Sequence, residues 1–197
     1  MRPRGLTVEP MLDSDIGLAA EMAVRLLPAS VLTQLGASFV KALYRAALEH
    51  PATVALKAID SSGTTIGFCL ASSDTSDLLR GLRRRLLFTT LRSLLSLVRL
   101  KLIPRFVSGI FEDEPRPHLA AELLLLYVDE TCQRQGGGRA LTGQLETAFR
   151  GRRVDRYRVA VRSQLTKAKA FYAATGFVFE QERLVLGEPM TYFVRHL

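Results

Sequence analysis

Glu122–Val128 (ELLLLYV), followed after a short turn by Gln133–Arg139 (QRQGGGR), is the stretch on which the fold of this chain turns. The first part is an apolar run of strand length, the pattern of a central strand covered on both faces. Gly136, Gly137 and Gly138 then open a helix running to Arg150. Glycines at such a junction let the backbone approach a ligand and adopt conformations that a Cβ would obstruct. The helix start leaves amide N–H groups unpaired and carries a partial positive charge, which suits it to phosphate. Arg134 and Arg139 add full charges beside it.

Other phosphate binders share this physics. A P-loop needs G-x-x-x-x-G-K-S/T, and the chain has neither Gly-Lys-Ser nor Gly-Lys-Thr. A dinucleotide fingerprint needs a glycine where Leu141 stands, and belongs to the first strand of its fold rather than the fourth. On the triple glycine alone, a turn that holds no ligand is an equal reading.

Working outward, Leu6–Met11 reads as an opening strand. Asp13 or Ser14 caps a helix that reaches Leu26 and ends at Pro28, and 30–49 supplies a second helix. Thr53–Asp60 and Thr65–Ser72 are two strands, with a hairpin signal at Ser61-Ser62-Gly63. A helical, basic segment and a loop at 76–118 precede the central strand. Beyond its helix, Arg156–Val161 alternates as a strand, Thr166–Ala174 is helical and stops at Gly176, and strands at 177–186 and 191–194 finish the chain. The order predicts an α/β fold: a mixed sheet of six to seven strands in one domain over 1–197, with helices on both faces and a helical insertion between the third and fourth strands.

In this context Gln133, Gly136 and Gly138 resemble the Q/R-x-x-G-x-G/A signature of the GNAT N-acetyltransferase family, and Leu141 follows where the family has an aliphatic residue. Ala168–Phe177 (AKAFYAATGF) resembles a second motif of that family, A-x-x-L/F-Y-x-x-x-G-F. Two motifs in order are more specific than either alone. The resemblance is strong over 120–195 and general over 6–72. One departure is Leu165, where the family has an asparagine; Ser163 or Thr166 is the candidate replacement.

The resemblance implies acetyl-CoA as donor and no metal. Backbone amides of Gln133, Arg134, Gln135, Gly136, Gly137, Gly138 and Arg139 would hold its pyrophosphate. Main-chain groups of Leu126 and Val128 would hold the pantetheine arm, and Ala168 and Phe171 would complete the cofactor contacts. Transfer to an amine poses two proton problems. Neutralising an alkylamine of pKa near 10 at pH 7 costs roughly 4 kcal/mol, and the departing thiolate needs a proton. Tyr172 holds the family's general-acid position, against the alternative of a packed core aromatic. Glu122 holds the place of the base in the histone acetyltransferase branch, against that of an ordinary strand-end carboxylate. Glu114 and His118 are weaker rivals. Cys132 has no partner base and is not read as a nucleophile.

Charge is unevenly placed. Between Leu78 and Phe111 lie Arg80, Arg83, Arg84, Arg85, Arg92, Arg99, Lys101 and Arg105 with no acid, and the remaining 19 basic residues equal the 19 acidic ones. One segment therefore carries the whole net charge of +8. It reads first as a helical pair with a solvated face, then as a cover for the acceptor cleft or a homodimer contact, then as an anionic lipid or nucleic-acid surface. Sparse aromatics speak against strand stacking, and no nucleic-acid partner is expected. The 197 residues are 48% hydrophobic, enough for one substantial core. Cys69 and Cys132 read as reduced intracellular thiols, no signal-peptide core opens the chain, and the uncharged run at 26–40 is too short and polar to span a bilayer, which gives a cytoplasmic expectation. The function expected is acetyl transfer to a small-molecule primary amine, an amino sugar among the options. The alternative is a non-catalytic module binding anionic surfaces through the basic helices.

Overall fold

One carboxylate builds the first hairpin. Asp60 Oδ1 accepts hydrogen bonds from the Ser62 and Thr64 amides at 2.9 and 3.0 Å and from the Ser62 hydroxyl at 2.6 Å. Gly63 takes a left-handed φ of 83°, so Thr53–Ile59 (β2) and Thr65–Ser72 (β3) fold back on each other. Thr7–Pro10 (β1) pairs antiparallel with β2, and Glu122–Val128 (β4) with β3. This computed structural model describes residues 5–28, 30, 33, 36–78, 80, 81, 121–185 and 187–197. Most of the 76–118 insertion, with Glu114 and His118, lies outside them.

Arg156–Arg162 (β5) runs parallel to β4, Glu188–His196 (β7) antiparallel to β5, and Val178–Val185 (β6) antiparallel to β7. The result is a seven-stranded mixed sheet in the order β1-β2-β3-β4-β5-β7-β6. Ile16–Leu26 (α1) and Ala37–Leu48 (α2) cover one face; Gly137–Gly151 (α3) and Thr166–Ala174 (α4) lie on the other. The second helix is shorter at its start than its apolar spacing suggests. Gly36, at φ 91°, sets a left-handed break immediately before Ala37.

The core is split by the sheet. On one side Leu141, Leu145 and Phe149 of α3 pack against Leu123, Tyr157 and Val159, with Tyr172 of α4. On the other, Ala19, Ala20 and Ala23 let α1 approach closely, and Tyr44 of α2 meets Phe68, Leu70 and Tyr127. Each fully buried Leu or Phe of this kind contributes about 1.5–3 kcal/mol. Tyr127 ties the second layer together, donating to the Ala19 carbonyl at 2.8 Å while its oxygen lies 2.7 Å from that of Tyr44.

ELLLLYV behaves as a covered central strand, with one irregularity. The β3 register passes from Leu70↔Leu125 to Ala71↔Leu123, so Leu124 is a bulge. Leu124 and Leu125 therefore both pack on the α1/α2 side, while Leu123, Leu126 and Val128 face α3 and α4.

Candidate active site

The site begins where the sheet fails to close. The parallel β4 and β5 hold only two register pairs, Glu122↔Arg158 and Leu123↔Val159, with the Arg158 amide donating to the Ala121 carbonyl at 3.1 Å. Past Leu123 the strands diverge toward their C-terminal ends. In open α/β sheets this is where ligands bind. Leu126 and Val128 lie on the β4 side of the divergence, and the Val128 carbonyl accepts from Gln133 Nε2 at 3.3 Å.

Beyond the mouth of this gap, β4 leads through Glu130–Cys132, a short 3-10 turn, into the glycine loop. Asp129 Oδ1 caps that turn by accepting from the Thr131 amide and hydroxyl at 3.1 and 2.7 Å. Its Oδ2 accepts from Arg25 Nη2 of α1 at 2.6 Å. The Arg25 guanidinium first, and the Thr131 donors second, hold the Asp129 carboxyl low, at about 2. Gln135 Nε2 bonds the Thr131 carbonyl at 3.3 Å. The two glutamine side chains thus brace the loop from behind, and Arg134 takes a left-handed φ of 63°.

Gly136 caps α3 at φ 91° with no side-chain hydrogen bond to the first turn. Those amides, with their share of the helix dipole, have no capping side chain, which is the geometry an anion needs. Gly137 is buried against Val128 and Ile66, and Gly138 rests on the Phe171 ring. Arg134 and Arg139 are exposed beside the loop. The fit to a diphosphate is good: uncapped amides, a backbone that side chains would block, and cations at the rim.

Phe171 and Tyr172 sit together on α4, edge to face with centroids 5.3 Å apart, and Ala168 is partly buried on the same helix. Tyr172 is 6% exposed and packs edge-on to Phe177 at 5.1 Å. Burial, with a smaller influence from Cys69, raises its pKa, so the phenol remains a neutral hydrogen-bond donor throughout the working pH range. Glu122 opens β4 on the opposite face, between the register partners Ser72 and Arg158. The two candidate proton-transfer groups thus lie on opposite sides of the sheet.

Arg158 was not legible as a site residue, because RYRVAV reads only as an alternating strand. It is 5% exposed, its Nη1 lies 3.7 Å from Glu180 Oε2, and its guanidinium sits 5.2 Å from the centre of the Tyr192 ring. Of the two stand-ins for the missing asparagine, Ser163 is committed elsewhere: its hydroxyl lies 2.8 Å from Thr191 Oγ1 and donates to Glu182 Oε1 at 3.1 Å. Leu165 occupies the α4 cap without a side-chain bond, and Thr166 follows it, exposed.

Cys132 Sγ is 3.6 Å from Thr131 Oγ1, and Cys69 is buried, which pushes its thiol up to about 12. Among the described residues no group of three or more His, Cys, Asp or Glu is placed to hold a metal ion, and no helix is long and apolar enough to cross a membrane.

Residues 113–186 match the family model described as an acetyltransferase (GNAT) domain. No curated protein matches the chain. Solved structures do. An acetyltransferase from Thermus thermophilus is 19% identical, with a TM-score of 0.63 and all of both chains covered. A mutant of spermidine N-acetyltransferase from Vibrio cholerae is 14% identical with a TM-score of 0.62, covering 98% of this chain and 94% of its own. An acetyltransferase from Bacillus anthracis in complex with acetyl coenzyme A is 14% identical with a TM-score of 0.52, covering 78% and 68%. At such identities the similarity is one of fold.

Proposed function

We propose that this chain, whose residues 113–186 match an acetyltransferase (GNAT) domain model, takes acetyl-CoA as donor and moves the acetyl group directly to a primary amine of a small molecule. The observation that carries the reading is Gly136: a left-handed residue opening an uncapped helix at the mouth of the β4/β5 divergence. The donor supplies an activated thioester. The amides of 134–139 are the groups that hold its pyrophosphate, and the backbone of Leu126 and Val128 lies along the path of the arm.

Glu122 is the base in this reading. Its carboxylate takes a proton from the incoming ammonium, directly or through a water, and so bears part of the roughly 4 kcal/mol cost of neutralisation. Tyr172, neutral and donating, supplies a proton to the departing sulfur. Its close aromatic packing holds the hydroxyl in one place, which is what a positioned acid requires. A small-molecule acceptor agrees with the name of the Vibrio cholerae structure, a spermidine acetyltransferase. An anionic amino sugar is the more specific proposal, resting on the basic run from Arg80 to Arg105.

Calorimetry with coenzyme A and thiol release from acetyl-CoA across a panel of amines test the reading together. Binding with amine-dependent thiol release is expected. No heat with millimolar coenzyme A would refute the donor site; binding without release for any amine would refute catalysis.

A further inference from the structure

Three consecutive glycines at the head of α3 need outside help to stay ordered. Glycine loses more conformational freedom on being fixed than any other residue, and the run from Asp129 to Arg139 holds no proline to stiffen it. The amides of 134–139 can point together at an anion only if neighbouring groups hold the loop in place. The side chains around the loop converge on one such group, the carboxylate of Asp129.

Asp129 stands where three elements meet. Its amide donates to the Ile66 carbonyl of β3 at 2.7 Å, and Ile66 Cδ1 lies beneath Gly137, 3.4 Å from where a Cβ would stand. Its Oδ1 accepts from the Thr131 amide and hydroxyl, and the Thr131 carbonyl accepts from Gln135 Nε2, one residue before the left-handed Gly136. Its Oδ2 accepts from Arg25 Nη2 at 2.6 Å. Arg25 belongs to the last turn of α1, in the layer on the sheet face opposite α3. One oxygen thus serves the loop and the other serves α1. The Tyr127 hydroxyl, bonded to the Ala19 carbonyl, fixes the same helix to β4 at a second point.

We propose that Asp129 and Arg25 are positioning residues of the coenzyme A site, a charged strut through which α1 holds the diphosphate loop in its binding geometry. The inference rests on the reading of 134–139 as the diphosphate cradle. Asp129 acts through Thr131 and Gln135, and Arg25 acts through Asp129. A carboxylate left bare on this turn would oppose an anionic ligand, so Arg25 offsets its charge as well as fixing its place.

The test reads coenzyme A affinity by calorimetry together with the alkylation rates of the two cysteines in the full chain. Cys132 lies on the turn that Asp129 caps, and buried Cys69 reports general opening of the fold. Asp129→Ala is expected to weaken coenzyme A binding about tenfold, the scale of one hydrogen bond to a charged group. It should also speed alkylation of Cys132 and leave Cys69 unlabelled. Arg25→Gln is expected to weaken binding about threefold or more, while Arg25→Lys, which keeps the charge, stays near the wild type. Arg25 is 58% exposed, so these two variants decide the matter alone if Asp129→Ala also labels Cys69. Wild-type affinity in Arg25→Gln, or equal losses in Arg25→Gln and Arg25→Lys, would overturn the proposal and leave the donor site standing. A wild type that binds no coenzyme A would remove the donor site and the strut with it.

Discussion

Gly138 lies against the ring of Phe171: a methyl in place of its hydrogen would stand 3.2 Å from Cζ and 3.3 Å from Cε2. The glycine belongs to the loop at the head of α3 and the phenylalanine to α4, so the two motifs distant in sequence meet as one surface. Gly138→Ala should therefore weaken coenzyme A binding a few-fold, because the ring or the loop must give way by tenths of an ångström. Phe171→Leu in the same chain should recover part of the loss. A double-mutant cycle by calorimetry measures the coupling, expected at about 0.5–3 kcal/mol. Additive effects would mean that the contact does not set the loop.

Gly136→Ala acts differently, through conformation rather than space. At φ 91° a side chain is strained by about 1–2 kcal/mol. Thermal unfolding should show a modest loss, and coenzyme A affinity a larger one, since relief of the strain turns the amides of the first turn away. Equal losses in both would indicate a purely structural glycine.

Tyr172→Phe should lower turnover about 10²–10⁴-fold while leaving coenzyme A affinity near that of the wild type. The substitution keeps the ring in its aromatic cluster and removes only the donor. Wild-type turnover would defeat the general-acid assignment.

For Glu122 the discriminating readout is pH. Glu122→Gln should be most impaired near neutrality, by a similar factor, and less so as pH approaches the amine's own pKa, where the base has little left to do. A deficit that stays constant with pH would place Glu122 in the sheet's architecture alone.

Alkali should unfold the protein cooperatively. Burial raises the Tyr44, Tyr127, Tyr157 and Tyr172 phenols, and raises the Cys69 thiol from 9.0 to about 12. In the unfolded chain these groups lose protons first, cysteine near 8.5 and tyrosine near 10. Their stabilising effect is complete below those values and is lost as pH climbs toward the folded ones. Each can contribute a slope of up to about 1.4 kcal/mol per pH unit while its two states differ. Urea midpoints at pH 7, 9, 10 and 11 should hold at first and then fall steeply; a flat series would refute this linkage.

The glycine turn and the second motif, proposed here for the cofactor, were legible as local elements. A glycine turn, the helix after it and the Ala168–Phe177 motif each declare themselves within ten or so residues, and the folded chain brings Gly138, Phe171 and the β4 end together. The succession of strands and helices along the chain followed from the same periodicities. What escaped was non-local. Nothing in RYRVAV distinguishes Arg158 from a solvated strand arginine; its burial comes from Tyr192 and Glu180 on strands more than 20 residues later. The Arg25–Asp129 pair spans 104 residues and has no periodic signature. The bulge at Leu124 cannot be read from four identical leucines, since either face would accept any of them.

The short ladder between β4 and β5 has a thermodynamic consequence. With two register pairs, the parallel seam is open past Leu123, and an amide-bearing arm inserted there would act as a guest strand. Ligation would then complete the architecture as well as fill a pocket. Hydrogen exchange along 124–128 and 160–162 should slow on saturation with donor, and the same free energy that fixes the arm would knit the two halves of the sheet into a single cooperative unit.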